Sequence, residues 1–301
     1  MSEQPKPTTA SAFSREVLTL FDQYVHGAVS RRVFLERCAG HVGTVAAATG
    51  ILAALSPDFV RAQTIQASDE RIVTASVDIP SPAGSGSIKA YVAKPRGTSA
   101  KARKPIVLVI HENRGLNPHI EDIARRLAVD GYIAVAPDAL TALGGYPGDE
   151  DKARDLFGKL DQKKITEDFI AAAGYAQAHP EANGKLGAVG FCYGGGVVNM
   201  LATRIPTLRA GVPFYGSPPP LEGVPAIKAD LLLHFAGNDT RIDAMWPAYE
   251  AALKQAGKRY EAWIYPGVEH GFNNNTTPRF DKDAAALAWQ RTMALFKRTL
   301  S

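Results

Sequence analysis

The sequence predicts an α/β fold in which one mostly parallel sheet is covered by helices on both faces. Three observations predict it. Short apolar runs bounded by Gly, Pro, Asn or Asp alternate with helical patterns from residue 65 to residue 301. The run Pro105-Ile106-Val107-Leu108-Val109-Ile110-His111 is almost continuously apolar, as a strand buried on both faces is. Residues 186–190 pass through a glycine-rich turn straight into a helical pattern, Val197-Val198-Asn199-Met200-Leu201-Ala202. Of the 301 residues, 46% are hydrophobic and 21% charged, which suits one large core. A net charge of +4 without a dense Lys/Arg block excludes a nucleic-acid partner. No CxxC or HExxH spacing and no internal repeat occurs, so no metal and no organic cofactor is expected.

Residues 1–62 stand apart from the fold. Ser30-Arg31-Arg32-Val33-Phe34-Leu35 matches a twin-arginine export pattern, and an uncharged, mildly apolar run follows over residues 42–55. That run is too short to span a bilayer stably, and Val60-Arg61-Ala62 offers small residues at a cleavage spacing. The expectation is export to the periplasm. The alternative is a cytoplasmic protein with an uncleaved helical arm, which Phe21-Asp22-Gln23-Tyr24-Val25 keeps open. Cleavage would remove Cys38 and leave Cys192 as a lone thiol.

The elements of residues 65–301 follow in order. Residues 71–79 and 88–93 alternate as an antiparallel pair joined by a Pro/Gly/Ser turn over 80–86. The buried strand 105–111 precedes a helix around 122–128 and a strand at 132–136. Residues 141–151 are expected as a loop and 165–178 as a helix. Strands at 210–215, 231–235 and 260–265, a helix over about 243–255 and a final helix over 283–300 complete the alternation.

Functional groups in such a sheet gather at the C-terminal ends of the strands. Gly190-Phe191-Cys192-Tyr193-Gly194-Gly195-Gly196 forms a nucleophile elbow with cysteine in the serine position. Its sulfur sits at a helix start, where N–H groups and dipole favour a thiolate. Ala236-Gly237-Asn238-Asp239 ends one later strand, and Pro266-Gly267-Val268-Glu269-His270-Gly271-Phe272 follows another. Nucleophile, acid and histidine stand in α/β-hydrolase order. Cys192 would attack, His270 would take and return the proton, and Asp239 would orient the imidazole. Asp243 is a lesser candidate for the orienting role because it is expected inside the next helix. After the strand ending at Ile110 comes His111-Glu112-Asn113-Arg114. There the backbone N–H of Asn113 would pair with that of Tyr193 as the oxyanion hole.

With Glu112, Gly-Phe-Cys-Tyr-Gly-Gly, Gly-Asn-Asp and His-Gly-Phe in this order, residues 70–300 resemble the dienelactone hydrolase (carboxymethylenebutenolidase) family. The resemblance implies a Cys192–Asp239–His270 triad, with Glu112 holding or deprotonating the resting cysteine. It implies cleavage of an ester or lactone through a thioester. The family's two substrate-binding arginines are not matched: Asn274 stands at one position and Glu150 at the other, unless Lys152 or Arg154 shifts into place. A neutral or polar ester is therefore expected as substrate, with His111, Arg114, Tyr215 and Asn274 as candidate pocket residues. No oligomeric state is assigned. Other classes are a non-catalytic domain binding a small molecule or partner, a peptidase, and a thiol redox protein. The last lacks a resolving cysteine near Cys192.

Overall fold

The strand Lys104–Ile110 divides the molecule into its layers. Ile106, Leu108 and Ile110 enter one buried cluster, and Val107 and Val109 enter another. A period of two sends alternate side chains to opposite faces. Both faces are covered, so both sets are apolar. The structure, a computed structural model, describes residues 9–301.

Among the described residues a 3-10 turn at Ala10–Ala12 leads into four α-helices: α1 (Arg15–Val25), α2 (Arg31–Val42), α3 (Val45–Leu55) and the single turn α4 (Phe59–Ala62). The hairpin β1 (Ile72–Ser81) and β2 (Gly86–Pro95) follows, then β3 (Lys104–Ile110), α5 (Pro118–Val129), β4 (Ile133–Pro137), α6 (Glu150–Phe157) and α7 (Gln162–Ala178). Next come β5 (Ala182–Phe191), α8 (Tyr193–Arg204), β6 (Leu208–Phe214), β7 (Asp230–Ala236) and the turn α9 (Thr240–Asp243). The chain closes with α10 (Trp246–Gln255), β8 (Tyr260–Tyr265) and α11 (Lys282–Leu300). The eight strands form one sheet in the order β1-β2-β4-β3-β5-β6-β7-β8. Pairing is antiparallel at β1–β2 and β2–β4 and parallel elsewhere. α5 and α11 pack on one face, and α7, α8 and α10 on the other.

Three expectations change in detail. The hairpin strands run through Pro80 and Ser81, shortening the turn. Residues 141–151 are not all loop: Asp149 caps α6 by accepting from the Lys152 N–H at 2.8 Å, and Glu150 and Asp151 complement the helix dipole. The single helix expected over 243–255 is two, α9 and α10, with Pro247 in the first turn of the second.

The leading helices form a layer of their own. Ser14, Ser30 and Thr44 cap α1, α2 and α3 by accepting N–H bonds from Val17, Val33 and Ala47. Their inner faces enclose a small core in which Phe34, Cys38, Ala48 and Leu55 are wholly buried. The stretch Val45–Ala62 has a mean hydropathy of 1.3, but its helix breaks at Ser56 and Pro57. Beyond α4 the Asn275 side chain holds the Ala62 carbonyl at 2.7 Å.

Candidate active site

β5 ends at Phe191 and α8 begins at Tyr193, leaving Cys192 alone in the turn at φ 55° and ψ −114°. For a residue with a side chain this conformation costs on the order of 1–3 kcal/mol and persists only where its surroundings enforce it. Two glycines let the surroundings close in. A Cβ on Gly190 would lie 2.1 Å from the Gly194 carbonyl oxygen, and one on Gly194 would lie 2.3 Å from that of Ile110. The turn thus carries the Cys192 sulfur at the N-terminus of α8, beside the end of β3.

After β8 the chain turns and buries His270, whose Nδ1 donates to Asp239 Oδ2 at 2.5 Å. The other Asp239 oxygen accepts from the Ile242 N–H at 3.3 Å and caps α9, which fixes the carboxylate. Asp243, at the end of that turn, takes no part in the pair. Burial and the Asp239 charge push its carboxyl up to about 6. His270 Nε2 is buried and makes no hydrogen bond among the described residues.

A second imidazole reaches the sulfur beside the first, the His26 and His270 rings meeting edge to face with centroids 4.8 Å apart. His26, just past α1, has Nε2 3.4 Å from Cys192 Sγ. Its Nδ1 lies 2.8 Å from the Asp22 carbonyl and 3.2 Å from the Asp22 carboxylate. One ring nitrogen of each imidazole and the sulfur lie within 4.8 Å of one another. The trio offers three donors and no carboxylate oxygen, and each imidazole is backed by an aspartate, an arrangement suited to handling protons. Burial alone would push the Cys192 thiol up, but the His270 and His26 charges and the His26 hydrogen bond hold it well below its usual value. In return, although burial disfavours their charged forms, His270 rises to about 9 and His26 to about 10 beside the thiolate and their aspartates.

Glu112 Oε2 accepts from Asn274 Nδ2 at 2.9 Å, and burial raises its carboxyl, as does the nearby Cys192 charge. Among the described residues the sulfur's hydrogen bond therefore comes from His26, not Glu112. The backbone N–H groups of Asn113 and Tyr193 have no acceptor among the described residues. Two expected pocket residues do not line the cavity. His111 is wholly buried, donating from Nδ1 to the Glu112 carbonyl at 2.5 Å and accepting from the Ala139 N–H at 3.0 Å. It ties β3 to the loop after β4. Tyr215 is 1% exposed, with its ring 4.8 Å from that of His270, so it packs behind the imidazole. Arg114 and Asn274 do line the cavity. Arg154 is occupied by Asp151 and Asp155 and lies over the Tyr24 ring, and Lys152 does not line the cavity.

The cavity holds about 380 Å³. Cys192, His270, Glu112 and Asn113 form its floor, and Phe21, Tyr24, His26, Leu55 and Phe59 form its roof. Arg279 enters from the loop before α11, with its guanidinium 5.1 Å from the Phe21 ring and 3.9 Å from Asp22. Sequence reasoning misses His26, Asp22 and Arg279. Asp22 and His26 do carry one signal, an acid–histidine pair at i, i+4 on an amphipathic helix, but in a segment that also fits a leader. Arg279 carries none.

The dienelactone hydrolase family model matches residues 88–300. The chain belongs to the dienelactone hydrolase family. A second model, described as YqhI-like, matches residues 5–42. The "Putative carboxymethylenebutenolidase" of Saccharolobus solfataricus is 34% identical over 247 residues, covering 70% of this chain and 94% of that protein. A protein of the same name from Escherichia coli K12 is 30% identical over 265 residues, covering 83% and 95%. The crystal structure of a "Putative Dienelactone Hydrolase" from Klebsiella pneumoniae superposes with a TM-score of 0.66 at 28% identity, covering 75% of this chain and 99% of that one. This dienelactone hydrolase family member is thus a hydrolase of α/β-hydrolase fold. The match begins at residue 88, so α1–α4 lie outside it.

Proposed function

We propose that the protein hydrolyses a carboxylic ester or lactone through a thioester on Cys192. The observation that carries this is the Asp239–His270 pair at 2.5 Å, set beside a sulfur that an elbow turn projects at a helix N-terminus. The Cys192 thiolate attacks the acyl carbon and the carbonyl electrons move to oxygen, where the Asn113 and Tyr193 N–H groups accept the charge. When the C–O bond breaks, imidazolium His270 gives its proton to the departing alkoxide. Water then attacks the thioester while His270 takes a proton from it. The C–S bond breaks, the acid leaves and the thiolate returns. Asp239 stabilises the imidazolium in both halves.

A neutral or polar acyl group suits the cavity. Each guanidinium that lines it already faces a carboxylate: Arg31 with Asp151 at 3.0 Å, Arg114 with Glu150 at 3.7 Å and Arg279 with Asp22 at 3.9 Å. The test is an ester and lactone panel with wild type and Cys192→Ala, followed by mass spectrometry during turnover of a slow substrate. The expected result is hydrolysis lost in the variant and an acyl adduct on the Cys192 peptide. An adduct on a serine, or activity kept by Cys192→Ala, refutes it. A wild type inert on the whole panel favours a small-molecule binding domain.

For residues 1–62, export with cleavage and a retained arm remain the two proposals. The small core of α1–α3 and its contacts over the cavity support the arm.

A further inference from the structure

We propose that His26, carried by the N-terminal helical layer, is a second active-site imidazole that holds Cys192 ionised in the free enzyme, so that the complete site exists only while this layer is docked. The proposal rests on the thioester chemistry inferred for the same site.

The geometry is that of two acid–histidine pairs converging on one sulfur. Asp239 and His270 come from loops of the sheet domain, and Asp22 and His26 from one helix end of the arm. Two imidazoliums face three anions, the thiolate and two carboxylates. Arg241 is a further charged neighbour, with Nη2 3.2 Å from the same His26 nitrogen that faces the sulfur, and Glu112 faces the sulfur and His270 from the other loop. That nitrogen has one site. It donates to the thiolate when His26 is charged and accepts from Arg241 when His26 is neutral. Arg279, beside Asp22, adds positive charge behind the pair.

The placement of His26 is enforced from the catalytic side. α1 ends at Val25, whose carbonyl has lost its helical partner. Asn113 Nδ2 donates to it at 2.8 Å and Arg114 Nη2 at 3.1 Å. A cation at a helix C-terminus is favoured by the dipole as well as by the hydrogen bond. The loop that supplies the Asn113 N–H for the oxyanion therefore also positions the residue next to His26. Farther out, Arg15 pairs with Glu269 at 3.0 Å, next to His270 in the chain, and Arg31 with Asp151. The Asp58 N–H donates to the Thr276 carbonyl at 2.8 Å.

In the reaction His26 keeps its proton while His270 moves its own. As the C–S bond forms, the negative charge passes from sulfur to the acyl oxygen, and the His26 hydrogen bond to sulfur is released. It re-forms when the thioester is cleaved. A leader cut after residue 62 would take this imidazole with it.

The test reads the thiol without any substrate, so its failure and the failure of the ester-hydrolase proposal are distinguishable. The full chain carrying Cys38→Ser has one thiol, and its alkylation by iodoacetamide is followed against pH in that background and with His26→Gln added. His26→Gln is expected to move the alkylation profile upward and to slow alkylation at pH 7 about tenfold or more, since the thiolate is the reactive form. Hydrolysis should fall in kcat more than in KM. A profile unchanged by His26→Gln overturns the proposal. A second measurement needs no His26 variant: the His26 ring is titrated by NMR in wild type and in Cys192→Ala. Its titration should fall toward the ordinary histidine range when the sulfur is removed, and an identical titration in both proteins overturns the proposal.

Discussion

Asn113 donates its side-chain amide to the carbonyl of Val25 at 2.8 Å, although the two residues lie 88 positions apart. The bond joins the loop after β3, the proposed oxyanion position, to the last turn of α1. Removing it should loosen the arm and slow the reaction together. Asn113→Ala with Arg114→Gln deletes one neutral and one charged hydrogen bond, about 2–4 kcal/mol in all at ordinary values. Limited proteolysis should then cut near Gly27 far faster than in wild type. Resistance equal to wild type would show that the bonds do not hold the arm.

Retention of the arm is read directly from mass. Protein from its native cells should keep residues 1–62, and Arg31→Lys with Arg32→Lys should leave it in the same compartment. Arg32 is mostly exposed and among the described residues pairs with Glu36 alone, so the double variant loses little beyond the geometry of the Arg31–Asp151 pair. A mature chain beginning after residue 62, and accumulation of uncleaved double variant in the cytoplasm, would establish export instead.

The pH dependence has a definite sign. His270 is raised to about 9 and must be charged to protonate the leaving group, so kcat should hold across neutral pH and fall as pH rises through about 9. At the acid end activity falls as the thiolate is protonated. Docking follows the same rule. His26 is raised from 6.5 to about 10, so its ion pair contributes fully below 6.5 and is lost as pH rises through about 10. Hydrogen exchange in α1 should accelerate above that pH in wild type and show no such step in His26→Gln.

Serine in place of Cys192 should keep the elbow and lose the chemistry. The turn accepts either side chain, yet a hydroxyl is not held ionised by two imidazoliums. Cys192→Ser should melt within a few degrees of wild type while kcat/KM falls by two orders of magnitude or more. Equal activity in the serine variant would mean that the paired imidazoles are not needed for ionisation.

Substrate charge separates two views of the cavity. A carboxylate-bearing lactone should show no large advantage in kcat/KM over a neutral ester of similar size. A large advantage that vanishes in Arg279→Gln would show that Arg279 leaves Asp22 to bind the substrate anion.

The sheet, the elbow and the loops of Asp239 and His270 were legible because each depends on local pattern. β3 announces itself by an unbroken apolar run, and the elbow by glycines where no Cβ fits. α6 was hidden because it is short and mostly polar, so that its apolar spacing, Ala153, Leu156 and Phe157, covers only one turn. His111 and Tyr215 looked available at strand ends, but burial turns one into a brace and the other into a backing for His270. His26 and Arg279 reach the cavity only through tertiary packing. Their neighbours there, Cys192 and Phe21, are remote in the chain, and single-sequence spacing cannot show that.

The position of the arm also fixes an order of events during synthesis. α1–α3 leave the ribosome first and can close around Phe34 and Cys38 early. Some of the groups that receive them lie mid-chain, Asn113 for Val25 and Asp151 for Arg31, and others come last, Glu269 for Arg15, Thr276 for Asp58 and Arg279 for Phe21. Such long-range contacts form late in folding. On a growing chain the elbow at Cys192 would therefore be complete before Asp239 and His270 had been made. If the proposed pair acts as inferred, a nascent polypeptide has the sulfur and the arm's imidazole but no Asp239–His270 pair until the final third of the protein has been made.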